Sequence, residues 1–162
     1  MRQLTTTNNN TAIAIIRVVL GIVLFPHGAQ KLLGWFGGYG FEGTVGYLTN
    51  SAGLAYPFAL LVILIEFFGA LLLIAGFFSR VAALGIIGLF AGIIFTAHSA
   101  NGFFMNWNGN QAGEGYEFHL LVIGMAIAVL INGAGRWSVD RAISLNSKEK
   151  SVSQPSYSSA TA

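Results

Sequence analysis

The stretch YPFALLVILIEFFGALLLIAGFF, residues 56–78, holds a single charged side chain, the carboxylate of Glu66, in an otherwise uncharged run. An α-helix rises 1.5 Å per residue, so about twenty mainly apolar residues cross the roughly 30 Å of bilayer hydrocarbon. The stretch therefore predicts a transmembrane helix. Residues 12–33, 81–100 and 116–133 meet the same criterion, and the expected fold is all-α, an integral-membrane four-helix bundle. Composition agrees, with 54% hydrophobic and 9% charged residues, against roughly 25% charged in soluble domains. So few charges cannot cover the apolar surface of a soluble domain of 162 residues.

Several function classes drop out at this level. The net charge of +2 forms no basic stripe, which argues against nucleic-acid binding. There is no cysteine, which excludes thiolate nucleophiles, disulfides and Cys-held zinc or iron–sulfur centres. The glycine-rich residues 34–46 lack a phosphate-binding pattern and a following βαβ unit. No Ser–His–acid arrangement is recognisable.

The four spans divide the chain into a polar segment (1–11), a transmembrane domain (12–143) and a Ser-, Lys- and Gln-rich tail (144–162) expected to be disordered. Residues 78–80 make a tight hairpin between the second and third spans, whereas the other two loops are longer. Lys and Arg mark the cytoplasmic side. Arg2, Arg17, Arg80, Arg136, Arg141, Lys148 and Lys150 all fall at the termini or the tight hairpin, and the two longer loops hold only Lys31 near a helix end. Both termini are thus expected in the cytoplasm. The first span is expected to remain as a span: it is long, polar at His27, and no A-x-A cleavage pattern follows.

Ionisable groups inside a span are costly unless paired or hydrated. With this topology His27, Gln30, Lys31, His98, Glu117 and His119 fall in the outer half, and Glu66 lies about 15 Å below the outer end of its helix. His27, Gln30, Lys31 and Gly34 recur at three and four residues and share one face. Glu66, Gly69, Ala70, Leu73 and Gly76 share another, made mostly of small residues that allow close helix contact, so Glu66 is expected to point into the bundle. Gly85, Gly88 and Gly92 predict a comparable packing stripe. Glu117 and His119 lie about 200° apart around a helix and cannot both face one ligand unless the helix begins after them.

A bland reading accounts for part of this pattern. Buried polar groups bind helices together, Arg17 snorkels to the interface, Arg80 sets topology, and Trp35, Phe36, Tyr39, Phe103, Phe104, Trp107, Tyr116 and Phe118 form an interfacial belt. The sharper reading makes that aromatic rim the lining for a flat hydrophobic ligand such as a quinone. Two histidines could also supply both axial ligands of a b-type haem, and three histidines, or two with a glutamate, could hold zinc or iron. No pair has the spacing of a local metal motif, so no metal site is expected, and haem ranks below quinone.

A resemblance then emerges. Arg17 with Leu20-Gly21, HGAQKLLGWFGG (27–38), Glu66-x-x-Gly69 with Gly76, Ser79-Arg80-x-Ala82-Ala83, His98 with Gly102-Phe103-Phe104, GYEFHL (115–120) and GRWSVDR (135–141) together resemble the DoxX family over residues 12–141. These are small four-helix bacterial inner-membrane proteins, and the family takes its name from a subunit of an archaeal thiosulfate:quinone oxidoreductase. The resemblance implies an oxidoreductase subunit exchanging electrons or protons with the quinone pool. His27, Glu66, His98 and His119 are then the catalytic candidates, and Gln30, Lys31, Trp35 and Glu117 the groups contacting the cofactor. A proton-coupled or small-molecule transporter, and a non-catalytic scaffold for soluble redox enzymes, are the alternatives. The expected partners are the lipid bilayer and either further copies of the chain or a soluble redox protein.

Overall fold

The structure, a computed structural model, describes residues 5–152, with side chains described as far as residue 146. Every regular element among the described residues is helical. Helix α1 (Thr11–Leu33) starts at Asn10, whose side chain accepts from the backbone N–H groups of Ala12 (2.9 Å) and Ile13 (3.3 Å). This is the capping arrangement that satisfies orphan N–H groups at a helix start. The helix stops at Gly34, whose φ of 73° suits glycine. A short turn (Trp35–Gly37) leads to α2 (Gly40–Gly46), which widens into a π-type turn as far as Ser51.

Helix α3 (Tyr56–Ala75) begins with proline in its first turn and carries a π-type turn, Ile65–Gly69, at its middle. Helix α4 (Ser79–Asn101) has a second such turn at Ile94–His98. Helices α5 (Glu117–Asn132) and α6 (Val139–Val152) complete the order.

Among the described residues three helices, α1, α3 and α4, are long and apolar enough to cross a membrane. The fourth expected span, α5, is apolar but has 16 residues, about 24 Å. The second expected span ran to residue 78, whereas α3 ends at Ala75 because Gly76 turns left-handed (φ 68°). Beyond residue 144, where a disordered tail is expected, α6 continues to Val152, and residues 153–162 lie outside the described residues.

Leu20 and Leu24 of α1, Ala70 and Leu73 of α3, Ile86 and Phe90 of α4, and Val122, Ala126 and Val129 of α5 form one buried cluster. Lipid tails are as apolar as these side chains, so close packing and not water exclusion selects them. The tightest approach is α1 against α3. A Cβ placed on Gly28 would sit 2.5 Å from the Phe67 backbone, and one on Gly21 would sit 2.9 Å from the Ala70 carbonyl. The glycines expected to pack on α4 behave differently. Gly85 touches Ile65, but Gly88 and Gly92 face open space along an apolar groove of about 750 Å³ between α3 and α4.

Candidate functional site

Polar side chains gather at both ends of the molecule. At the end where α3 turns into α4, Arg17 is only 1% exposed. Its Nε donates to Ala134 O (2.8 Å), Nη1 to Leu73 O and Ile74 O (2.8 Å for Ile74), and Nη2 to Trp137 O (3.1 Å). A helix leaves its last four carbonyls without partners, and a cation there also suits the helix dipole. Arg17 meets both demands for α3. The snorkelling expected of it is therefore corrected: the chain from Gly133 to Ser138 folds over the guanidinium and seals it.

Asp140, also 1% exposed, meets the opposite need at the start of α4. Its Oδ1 accepts from Phe78 N (2.9 Å) and its Oδ2 from Ser79 N (3.0 Å), while its own N–H donates to Gly76 O (2.9 Å). Arg80 donates to Leu130 O and to Thr6 O (3.2 Å for Thr6), so it ties α4 to α5 and to the N-terminal segment as well as carrying charge. Asp140 was not singled out in the sequence. The available signal was an acid in the first turn of a helix, which says nothing about capping a different helix.

At the opposite end two polar pairs form on different helix pairs. Lys31 Nζ of α1 lies 2.5 Å from Glu66 Oε2 of α3, with the Lys31 side chain 29% and the Glu66 side chain 4% exposed. Gly28 lets the two helices close on the backbone of Glu66 and Phe67, and the π-type turn carries Glu66 into the contact. Lys31 also lines a cavity of about 270 Å³ with Gln30, Gly37, Gly38, Tyr39, Thr44, Tyr47 and Leu48. The Gly34–Gly38 turn folds straight back over Gln30, where a Cβ on Gly38 would overlap the Gln30 backbone. Gln30 Nε2 secures that turn by donating to Phe36 O (3.2 Å). Thr44 and Tyr47 in this wall carried no special pattern in the sequence.

The second pair is His98 of α4 and His119 of α5, with ring centroids 4.3 Å apart. Phe90 and Phe118 flank His119 at 5.6 and 5.9 Å. Two imidazoles in trans positions on one metal, each with a metal–nitrogen bond of about 2 Å, have ring centres roughly 6 Å apart. The pair is therefore too close to serve as the two axial ligands of one haem.

Among the described residues no hydrogen bond, ion pair or ring contact joins the two pairs. Of the remaining sequence candidates, His27 is exposed on α1, and Trp35 is exposed at the start of the turn after it. Glu117 Oε1 accepts from Trp107 Nε1 (3.2 Å), away from the buried face taken by His119. Glu117 and His119 thus diverge, one toward Trp107 and the other toward His98.

Among the described residues, three other than glycine have positive φ, namely Phe36 (52°), Phe78 (46°) and Trp137 (52°). Such backbone costs about 1–3 kcal/mol and persists where surroundings over-determine it. Each is held by a polar side chain already named: Phe36 O by Gln30, Phe78 N by Asp140 and Trp137 O by Arg17.

A sequence model of the DoxX family matches residues 12–99, more than half of the chain. No curated protein and no solved structure matches it.

Proposed function

The chain belongs to the DoxX family, and from that premise we propose that it is a bacterial inner-membrane protein that exchanges electrons and protons with the quinone pool. In this reading α1, α3, α4 and α5 are four spans of a transmembrane domain over residues 12–143, with both termini cytoplasmic. The tight Gly76–Ser79 turn then lies at the cytoplasmic face, and the two polar pairs lie near the outer face. A soluble redox partner supplies the electrons.

The observation that carries the proposal is the Lys31–Glu66 pair at the edge of the 270 Å³ cavity. Ionisable groups at membrane depth are expensive, and a pair beside a cavity marks a path for ligand or protons. Lys31 has three N–H donors and gives one to Glu66. A second can donate to a quinone carbonyl and stabilise negative charge as the ring is reduced. Tyr39 and Tyr47 supply flat aromatic surface in the wall, Trp35 lies in the adjoining turn, and Gln30 keeps its amide oxygen as an acceptor toward a hydroxyl of the quinol. Glu66, behind the cavity, relays the protons that the ring takes up as it is reduced.

Quinones quench tryptophan fluorescence, so titrating a short-chain quinone into Trp107→Phe/Trp137→Phe protein in nanodiscs reads the site through Trp35, the remaining tryptophan. Saturable quenching is expected, with binding at least tenfold weaker in Lys31→Met, titrated at a temperature where that variant remains folded. Quenching that rises linearly with quinone, identically in both proteins, would count as partition into lipid and remove the proposal.

A further inference from the structure

The histidine pair has no task in the cavity beside Lys31, and its geometry is specific. His98 ends the π-type turn of α4, where its Nδ1 lies 2.7 Å from the backbone carbonyl of Glu114. A carbonyl only accepts, so Nδ1 carries the proton and Nε2 of the neutral ring presents a lone pair. Asn101 Nδ2 donates to the same carbonyl at 3.1 Å, which fixes its position. A backbone carbonyl holding the remote ring N–H is the usual outer-shell support of a metal-binding histidine.

His119 supplies the second observation. It is 7% exposed, and its Nδ1 is buried with no hydrogen-bond partner. Buried polar atoms in native structures are nearly always satisfied, and an orphan calls for a missing water or ion. Phe90 and Phe118 flank the ring with apolar surface that cannot satisfy it.

The ring spacing selects the geometry. With metal–nitrogen bonds of about 2.0–2.1 Å, two imidazoles at a right angle on one ion have ring centres ~4.4 Å apart. The observed separation is 4.3 Å with the planes 42° apart. Right-angled imidazole donors suit the tetragonal preference of Cu²⁺ and Ni²⁺, whereas tetrahedral zinc opens the angle. No group of three or more His, Cys, Asp or Glu converges among the described residues, which leaves the two histidines as the ligand pair.

We infer that His98 Nε2 and His119 Nδ1 bind one divalent transition-metal ion of the Cu²⁺/Ni²⁺ class as neighbouring ligands, at a site separate from the Lys31 cavity. The two histidines are 21 positions apart across a loop, which is why their spacing shows no local metal motif.

The test uses the full chain without a polyhistidine tag, in nanodiscs, titrated with Cu²⁺ alone. One ion per chain is expected, with a tetragonal electron paramagnetic resonance spectrum split by two nitrogens. His98→Gln and His119→Gln should each weaken binding at least tenfold and reduce the splitting to one nitrogen, while His27→Gln binds as the parent does. His98 is half-buried, so its variant keeps the test valid where His119→Gln fails to fold. Binding no greater than that of empty nanodiscs, or lost equally in His27→Gln, overturns the inference. Quinone titration of the same samples reads the other proposal independently.

Discussion

Arg17 and Asp140 brace the Gly76–Ser79 turn from its two electrical ends. The guanidinium takes the Leu73 and Ile74 carbonyls that close α3, and the carboxylate takes the Phe78 and Ser79 N–H groups that open α4. Neither residue belongs to the helices it caps. Arg17 comes from α1 and Asp140 from the first turn of α6, so the turn is the point where four parts of the chain are fastened together. Gly76 is fitted to the same place, since a Cβ there would lie 2.9 Å from the guanidinium carbon of Arg17.

Replacing Arg17 by Met should therefore be among the most damaging single changes. Hydrogen bonds to charged groups contribute about 1.5–3 kcal/mol each, and four carbonyls lose the guanidinium together, although Leu73 O keeps the Gly76 N–H (3.1 Å). Arg17→Lys should recover only part of the loss, because an ammonium cannot reproduce the planar fork. Thermal unfolding in detergent should rank parent, Lys and Met in that order. Equal melting temperatures for the parent and the Met variant would show that the carbonyls find other partners.

Asp140→Ala removes both acceptors at the start of α4 and should cost about 1–2 kcal/mol, the range for loss of a helix cap. Asp140→Asn keeps one acceptor and should cost less. Hydrogen exchange should show the loss as faster exchange at Phe78 and Ser79; unchanged protection there would argue against capping.

Two glycine substitutions should part company. Gly28→Ala drives a methyl into the Phe67 backbone at 2.5 Å, and overpacking of this kind costs about 1–3 kcal/mol. It also wedges α1 from α3 and so separates Lys31 from Glu66. Gly88→Ala meets open space and should stabilise α4 by up to ~1 kcal/mol through helix propensity. If Gly88→Ala melts as low as Gly28→Ala, the groove along α4 is filled in the protein as it is purified.

For the ion pair, Lys31→Met leaves Glu66 buried without its partner. Breaking a buried pair costs about 3–5 kcal/mol, and the loss should fall toward the low end because Lys31 is 29% exposed. The double variant Lys31→Met with Glu66→Leu should be more stable than Lys31→Met alone. A double variant less stable than either single change would contradict the pairing.

Much of the fold was legible because membrane spans announce themselves by length and apolar composition. The face of α3 that carries Glu66, Gly69, Ala70 and Leu73 could be read from helical spacing, and all four are buried. Relations between distant segments could not be read in this way. Arg17 looked interfacial because nothing local shows that residues 133–138 return over it. His98 and His119 come together across a loop with no periodicity. The π-type turns at Ile65–Gly69 and Ile94–His98 have no residue signature, yet each places a candidate residue. The glycines of α4 matched a packing stripe, but spacing alone does not say whether a second helix is there to pack.

A quinone headgroup beside Lys31 can be located by photo-crosslinking with an azido-quinone followed by peptide mapping. Saturable labelling is expected within residues 30–48, displaced by excess unlabelled quinone and lost in Lys31→Met. Labelling confined to the groove between α3 and α4, or spread along the spans without saturation, would contradict it.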